Sequence, residues 1–221
     1  TLSLHDALPI CDQNGEWPVR YGYSAVGEVV SVGEKLSNDW LGRRVFSFNP
    51  HESCFCADPS DLIVLPEELS FEDAVLLPNM ETAVSFLMDL QPLIGEKIVV
   101  LGCGIVGQLT LQLLKQFPLQ EVIAVDGIPL RREKAFNNGA GRVLAPDDSA
   151  LEAYYQEADA VLELTGNPSA LDLAVKLTGY NGRILIGSWY GQKQAAVDLG
   201  GAFHRSNIQL MASQVSRIQD R

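Results

Sequence analysis

Gly102, Gly104 and Gly107 stand in the pattern G-x-G-x-x-G within the stretch IVVLGCGIVGQLTLQLLKQF. The apolar run before them reads as a buried strand, and the periodic segment after them as an amphipathic helix. In that setting the three glycines serve different ends, which are a tight turn, close approach of backbone to a pyrophosphate, and close packing of helix on strand. The helix start, with Ile105, Val106 and Gly107 in its first turn, offers unpaired N–H groups and a positive dipole end to phosphate. The next apolar run, EVIAV, ends in Asp126, roughly 20 residues further on, where a carboxylate accepts from both ribose hydroxyls and repels a 2′-phosphate. Asp126 therefore favours NAD over NADP, while Arg131 and Arg132 nearby pull the other way.

A second set of reactive groups lies upstream. Tyr23 and Ser24 in YGYSAVGEVVSVG and His51 in PHES carry hydroxyl and imidazole groups able to pass a proton, and Tyr190 in GSWYG is a further phenol. Cys11, Cys54, Cys56 and Cys103 lack the spacing of a disulfide framework, which points to a reducing, cytoplasmic compartment.

Two textures position these groups. Up to Pro66, short β-rich runs alternate with turn residues, giving strands expected at 26–32, 44–48 and 61–65 and part of a small antiparallel barrel. Ser70 then offers an N-cap with Glu72 and Asp73 in the first turn, and a second helix is expected over 81–90. Beyond it, strands at 97–101, 121–125, 142–144, 160–164, 183–186 and 209–212 alternate with helices at 105–116, 130–138, 151–156 and 169–177. Such alternation, with runs like IVVL and RILI, specifies an α/β fold: a parallel sheet covered on both faces.

Composition closes off other classes. The net charge is −12, so a nucleic-acid partner would be repelled. At 47% hydrophobic residues the chain buries a substantial core, and no apolar run reaches the roughly 18 residues needed to span a bilayer. The opening TLSLHDALPI reads as a non-native leader, leaving expected domains at 11–78 and 79–221.

The chain resembles the medium-chain dehydrogenase/reductase superfamily in GYSAVGEVVSVG, LGRRVFSF, LIVLPEELSFEDAVLLP, the glycine loop with Asp126, NNGAGRVL, ELTGNPSAL and GRILIGSWYG. The resemblance implies a Rossmann doubly wound sheet preceded by part of a GroES-like β-barrel. It places Thr82 beside a nicotinamide, Thr165 and Gly166 near the adenosine, and Arg131 beside the adenosine ribose. Backbone groups of Ile186, Gly187 and Ser188 would line the carboxamide. It also implies a homodimer or higher oligomer, joined along 208–212.

The zinc members of that superfamily carry a G-H-E motif where this chain has Gly22-Tyr23-Ser24, and a third ligand near Pro78. An un-ionised phenol is a poor zinc ligand and proline offers no metal-binding atom. Glu81 is the nearest substitute, and Cys54-Phe55-Cys56 falls short of the four cysteines of a structural zinc lobe. The expectation is an NAD(P)-dependent oxidoreductase without zinc, acting on a small-molecule carbonyl, alcohol or activated double bond. In it Tyr23, and less directly Ser24 and His51, supply the proton. Two alternatives stay open: a zinc enzyme with atypical ligands, and a non-catalytic nucleotide sensor or interaction protein.

Overall fold

The computed structural model describes residues 20–215; the segment 1–10, expected to be a leader, and Cys11 lie outside them. The chain divides into two compact units, Thr1–Pro78 and Asn79–Arg221.

The first unit is built on three antiparallel strands: β1 (Ala25–Glu28), β2 (Arg44–Ser47) and β3 (Ile63–Val64), in the order β1-β2-β3. β2 is central, pairing Val45 with Gly27 on one side and Val64 on the other. Its Phe46 is fully buried and forms a small core with Leu65 and Ala74. The Arg44 guanidinium stacks 4.5 Å over the Phe71 ring and donates to the carbonyls of Glu67 and Leu69, so it ties β2 to the segment that leads into the next helix. Ser70 caps α1 (Phe71–Ala74), its Oγ accepting from the Asp73 amide at 3.0 Å.

The expected strand over 26–32 is shorter than its pattern. Beyond Glu28 the facing chain turns into a 3₁₀ turn at Asn38–Trp40; Val29 still donates to the Arg43 carbonyl and accepts from the Gly42 amide, but Val30 is 77% exposed.

α2 (Leu77–Leu90) leads into the second unit; it starts four residues earlier than expected because a proline in the first turn costs no hydrogen bond. Six parallel strands follow: β4 (Lys97–Leu101), β5 (Glu121–Val125), β6 (Arg142–Leu144), β7 (Ala158–Glu163), β8 (Thr178–Ile186) and β9 (Gln209–Ala212). Their order is β6-β5-β4-β7-β8-β9, the doubly wound arrangement of a Rossmann sheet. The two-residue side-chain period sorts β4 cleanly. Ile98 and Val100 pack with Leu111 and Leu114 of α3 (Ile105–Leu114) and with Phe86 and Leu90 of α2. Val99 and Leu101 pack on the opposite face with Leu171, Ala174 and Leu177 of α5 (Ala170–Leu177). α4 (Pro129–Asn137) joins the first of these faces through Ala135.

One expected helix is not α-helical. Residues Ser149–Tyr154 form a 3₁₀ turn, capped by Asp148, because Gln156 turns left-handed (φ 59°) and hands its amide to the Lys176 carbonyl. Among the described residues no helix is long and apolar enough to cross a membrane.

Candidate functional site

β4 and β7 are neighbours in the sheet, yet the chain leaves them for opposite sides, and this reversal opens a crevice at their carboxyl ends. A cavity of about 520 Å³ lies there, within the size range of small-molecule sites. Leu101, Val125 and Leu164 form its apolar floor. Gly102, Gly104, Asp126 and Arg131 stand on one side, and Thr165, Asn167 and Leu173 on the other.

The glycine loop is built as its pattern predicts. Gly102 has φ +93°, and a Cβ there would lie 2.6 Å from the Leu164 carbonyl oxygen. A Cβ on Gly107 would lie 2.1 Å from the Gly102 carbonyl oxygen, so this helix cannot approach its strand with any side chain at 107. At Gly104 a Cβ would meet nothing within 4 Å; here the absent side chain leaves room for an incoming group rather than for packing. Gly104 is also the N-cap of α3 and gives it no side-chain acceptor, so the first-turn amides of Ile105, Val106 and Gly107 keep their donor capacity.

Asp126 is buried, and its carboxylate is already anchored. Oδ2 accepts from the Cys103 amide and Oδ1 from the Ile128 amide, both at 2.8 Å, while Arg131 Nη1 stands 3.8 Å away. These bonds leave each oxygen a further lone pair, enough for a diol. Arg132 Nη1 donates to the Asp126 carbonyl, which turns this cation toward the backbone rather than toward a phosphate. Burial, reinforced by the Asp126 charge, pushes the Cys103 thiol up to about 12, so it stays protonated inside the loop.

Several contributors escaped the sequence reading. Gln108, buried on α3, donates through Nε2 to the carbonyls of Cys103 and Arg131 and accepts from Asn138 at 2.8 Å, pinning the glycine loop to α4. A lone amide on the apolar face of IVGQLTLQLL was its only signal. Glu163, a wholly buried carboxylate in VLELTG, was legible only as a charge inside an apolar strand.

The remaining expected residues of the second unit fall outside the cavity lining. Thr82 is half-buried on α2, and Ile186 ends β8. Gly187 is required by packing, since a Cβ would meet Phe86 Cζ at 2.4 Å and Leu164 Cδ2 at 2.5 Å. Gly166, at φ +70°, donates its amide to Ser188 Oγ at 2.8 Å, so these two loop residues are brought together. The Tyr190 phenol donates to Glu163; burial, then that bond and the carboxylate charge, raise its pKa well above a free phenol's. That removes Tyr190 from the set of ready proton donors.

In the first unit, Tyr23 is 44% exposed beside Gly22. Gly22 has φ +100°, and the His51 ring occupies the place its Cβ would take, with Cδ2 at 2.3 Å. The His51 amide donates to the Tyr21 carbonyl at 2.8 Å and the Tyr21 and His51 rings meet edge to face, so His51 is held against Tyr21 and Gly22. Ser24 differs from expectation: its hydroxyl donates to the Val75 carbonyl at 2.6 Å and ties β1 to the end of α1. Cys54 and Cys56 are exposed free thiols, and among the described residues no three His, Cys, Asp or Glu side chains come together.

The family model described as zinc-binding dehydrogenase matches residues 106–221. The chain belongs to this family, within the medium-chain dehydrogenase/reductase superfamily. D-Guloside 3-dehydrogenase of Escherichia coli (strain K12) is 26% identical, across 96% of this chain and 69% of its own length. (R,R)-Butanediol dehydrogenase of Bacillus subtilis (strain 168) is 29% identical, across 76% of this chain and 58% of its own length. An alcohol dehydrogenase of E. coli CFT073, solved with NADH, shares the fold at TM-score 0.71 and 18% identity, over 88% of this chain and 67% of that one. The chain thus spans between 58% and 69% of the length of these curated relatives.

Proposed function

We propose that the protein is a nicotinamide-dependent oxidoreductase that uses NAD in preference to NADP and passes a hydride between the cofactor and a hydroxylated small molecule or its carbonyl counterpart. The observation carrying this reading is the convergence of the Gly102–Gly107 bend, the uncapped start of α3 and the anchored Asp126 carboxylate on one cavity at the strand-order reversal. The bound nicotinamide would supply the hydride. The chain's own residues bind the diphosphate through backbone amides and the adenosine ribose through Asp126, with Arg131 alongside. Thr165 and Gly166 then serve the adenosine side, and Thr82, Ile186, Gly187 and Ser188 the nicotinamide side. The relatives named for guloside and butanediol support an alcohol of the polyol type.

The proton that accompanies the hydride is assigned to the Tyr23 hydroxyl, with His51 of the same unit as the second acid–base group. Ser24 is withdrawn from that role, since its proton is spent on Val75. The residues at the zinc position do not fit the metal: Gly22-Tyr23-Ser24 present a phenol and a committed hydroxyl where an imidazole and a carboxylate would be needed. The proposed reaction therefore runs without zinc, and the proposed working form is a homodimer joined along 208–212, with domains at 11–78 and 79–221.

Calorimetry with NADH and NADPH tests the first part, with binding of NADH at least about tenfold tighter expected. Absence of heat with both would sink it. Metal analysis of the active protein tests the second: one tightly held zinc per chain, with activity lost to a chelator, would favour the reading that the family's description suggests, a zinc enzyme with atypical ligands such as Glu81.

A further inference from the structure

Glu163 closes β7 in the wholly buried centre of the sheet, and none of the ion pairs among the described residues includes it. A carboxylate in such a place costs several kcal/mol unless hydrogen bonds replace its water. Here they do, and all come from two loops. Oε1 accepts from the Thr165 amide at 2.8 Å and from the Thr165 hydroxyl, both in the loop after β7. Oε2 accepts from the Tyr190 hydroxyl, in the loop after β8. The Glu163 carbonyl takes the amides of Gly187 and Ser188 at 3.0 and 3.2 Å.

Two cross-ties complete the arrangement: the Gly166 amide to Ser188 Oγ, and Lys193 Nζ to the Gly166 carbonyl at 3.3 Å. The loop after β7 lines the cavity through Thr165 and Asn167, whereas the loop after β8 does not reach it. One buried residue therefore joins the wall of the cavity to a neighbouring loop that stands beyond it. Packing alone does not call for this. An apolar side chain of similar size would fill the same space without the desolvation cost, but would hold neither loop in place.

We propose that Glu163 is a positioning residue of the dinucleotide site, acting with Tyr190 to fix the loop after β8 so that the nicotinamide half of the cofactor meets a preset wall. The inference rests on the reading given above, in which Gly187 and Ser188 of that loop serve the nicotinamide side. Charge-assisted hydrogen bonds from two hydroxyls and an amide are strong and directional, and they fix the loop before the ligand arrives rather than at its expense.

Tyr190→Phe and Glu163→Gln, made in the full-length protein, separate this role from simple support. Each is followed by calorimetry with NADH and with ADP-ribose, which lacks the nicotinamide, and by thermal melting. Tyr190→Phe removes one hydroxyl and leaves the Thr165 bonds intact. It is expected to weaken NADH about tenfold while ADP-ribose changes by less than about twofold. Glu163→Gln keeps the shape but not the charge; it is expected to weaken both ligands and to lower the melting temperature. Should that variant fail to fold, Tyr190→Phe decides alone. The proposal is overturned if Tyr190→Phe binds NADH like the unaltered protein, or loses NADH and ADP-ribose by the same factor. An unaltered protein that binds neither ligand overturns the nucleotide reading itself and takes the clasp with it, an outcome distinct from the other two.

Discussion

In the second unit Ile98, Val99 and Val100 are wholly buried along one strand, whereas in the first unit both residues of β3, Ile63 and Val64, are nearly half exposed. The contrast extends to the polar groups. Asp126, Gln108 and Glu163 each have their hydrogen-bonding atoms matched by named partners, while Tyr23 and His51 are exposed in a unit whose core has three buried residues. A grip on a diphosphate depends on backbone amides held to within fractions of an ångström, and only a two-faced core of close-packed strands holds them so. Proton transfer asks less of its scaffold until substrate arrives. Each unit's packing matches what the proposed function asks of its residues.

The contrast can be broken most severely at Gly107. Gly107→Val places side-chain atoms where only 2.1 Å separates a Cβ from the Gly102 carbonyl. NADH binding should vanish, falling by at least about 100-fold, and calorimetry reads it. Retained affinity would mean that α3 has no fixed seat on β4.

Phe46→Ala is the matching lesion in the first unit. It should cost about 3–5 kcal/mol of that unit's stability by emptying most of its core. Limited proteolysis should then cut within 20–78 while leaving the second unit whole, with ADP-ribose affinity changed by less than about twofold. If instead both units are digested together, they do not differ in stability as argued.

Asp126→Ala is expected to weaken NADH about tenfold and to narrow or reverse the preference over NADPH. It also strands the Cys103 and Ile128 amides, lowering stability by about 1–3 kcal/mol. Equal losses for both dinucleotides would show that the carboxylate only shapes the loop.

Thiol labelling distinguishes the units without any substitution. Cys54 and Cys56 are exposed, whereas Cys103 is buried with its thiol pushed up to about 12. At neutral pH the first two should react at once and Cys103 only after unfolding, as peptide mapping would show. The smallest effect is expected from Ser70→Ala, which removes the N-cap of α1 and should cost about 1 kcal/mol in chemical denaturation.

The sheet of the second unit was legible because its strands are buried on both faces and advertise themselves as unbroken apolar runs; 97–101, 121–125, 142–144 and 209–212 match residue for residue. Elements whose limits depend on a neighbour were not. β7 begins two residues early, and β8 extends back to Thr178 through an irregular pairing with Ala158 that no local pattern encodes. The 3₁₀ turn at Ser149–Tyr154 carried the periodicity of a helix but is cut short by the left-handed Gln156. Within the candidate site, the glycines and Asp126 could be named because their spacing is itself the signal. Gln108 and Glu163 could not, since a polar residue gains its meaning from partners more than twenty positions away: Arg131 for one, Tyr190 for the other.

The His51 ring resting in the space above Gly22 makes two distant codons answerable to each other. A larger residue at 22 would meet both that ring and a left-handed backbone, so the glycine is held twice over and a smaller residue at 51 would lift only one of the two constraints.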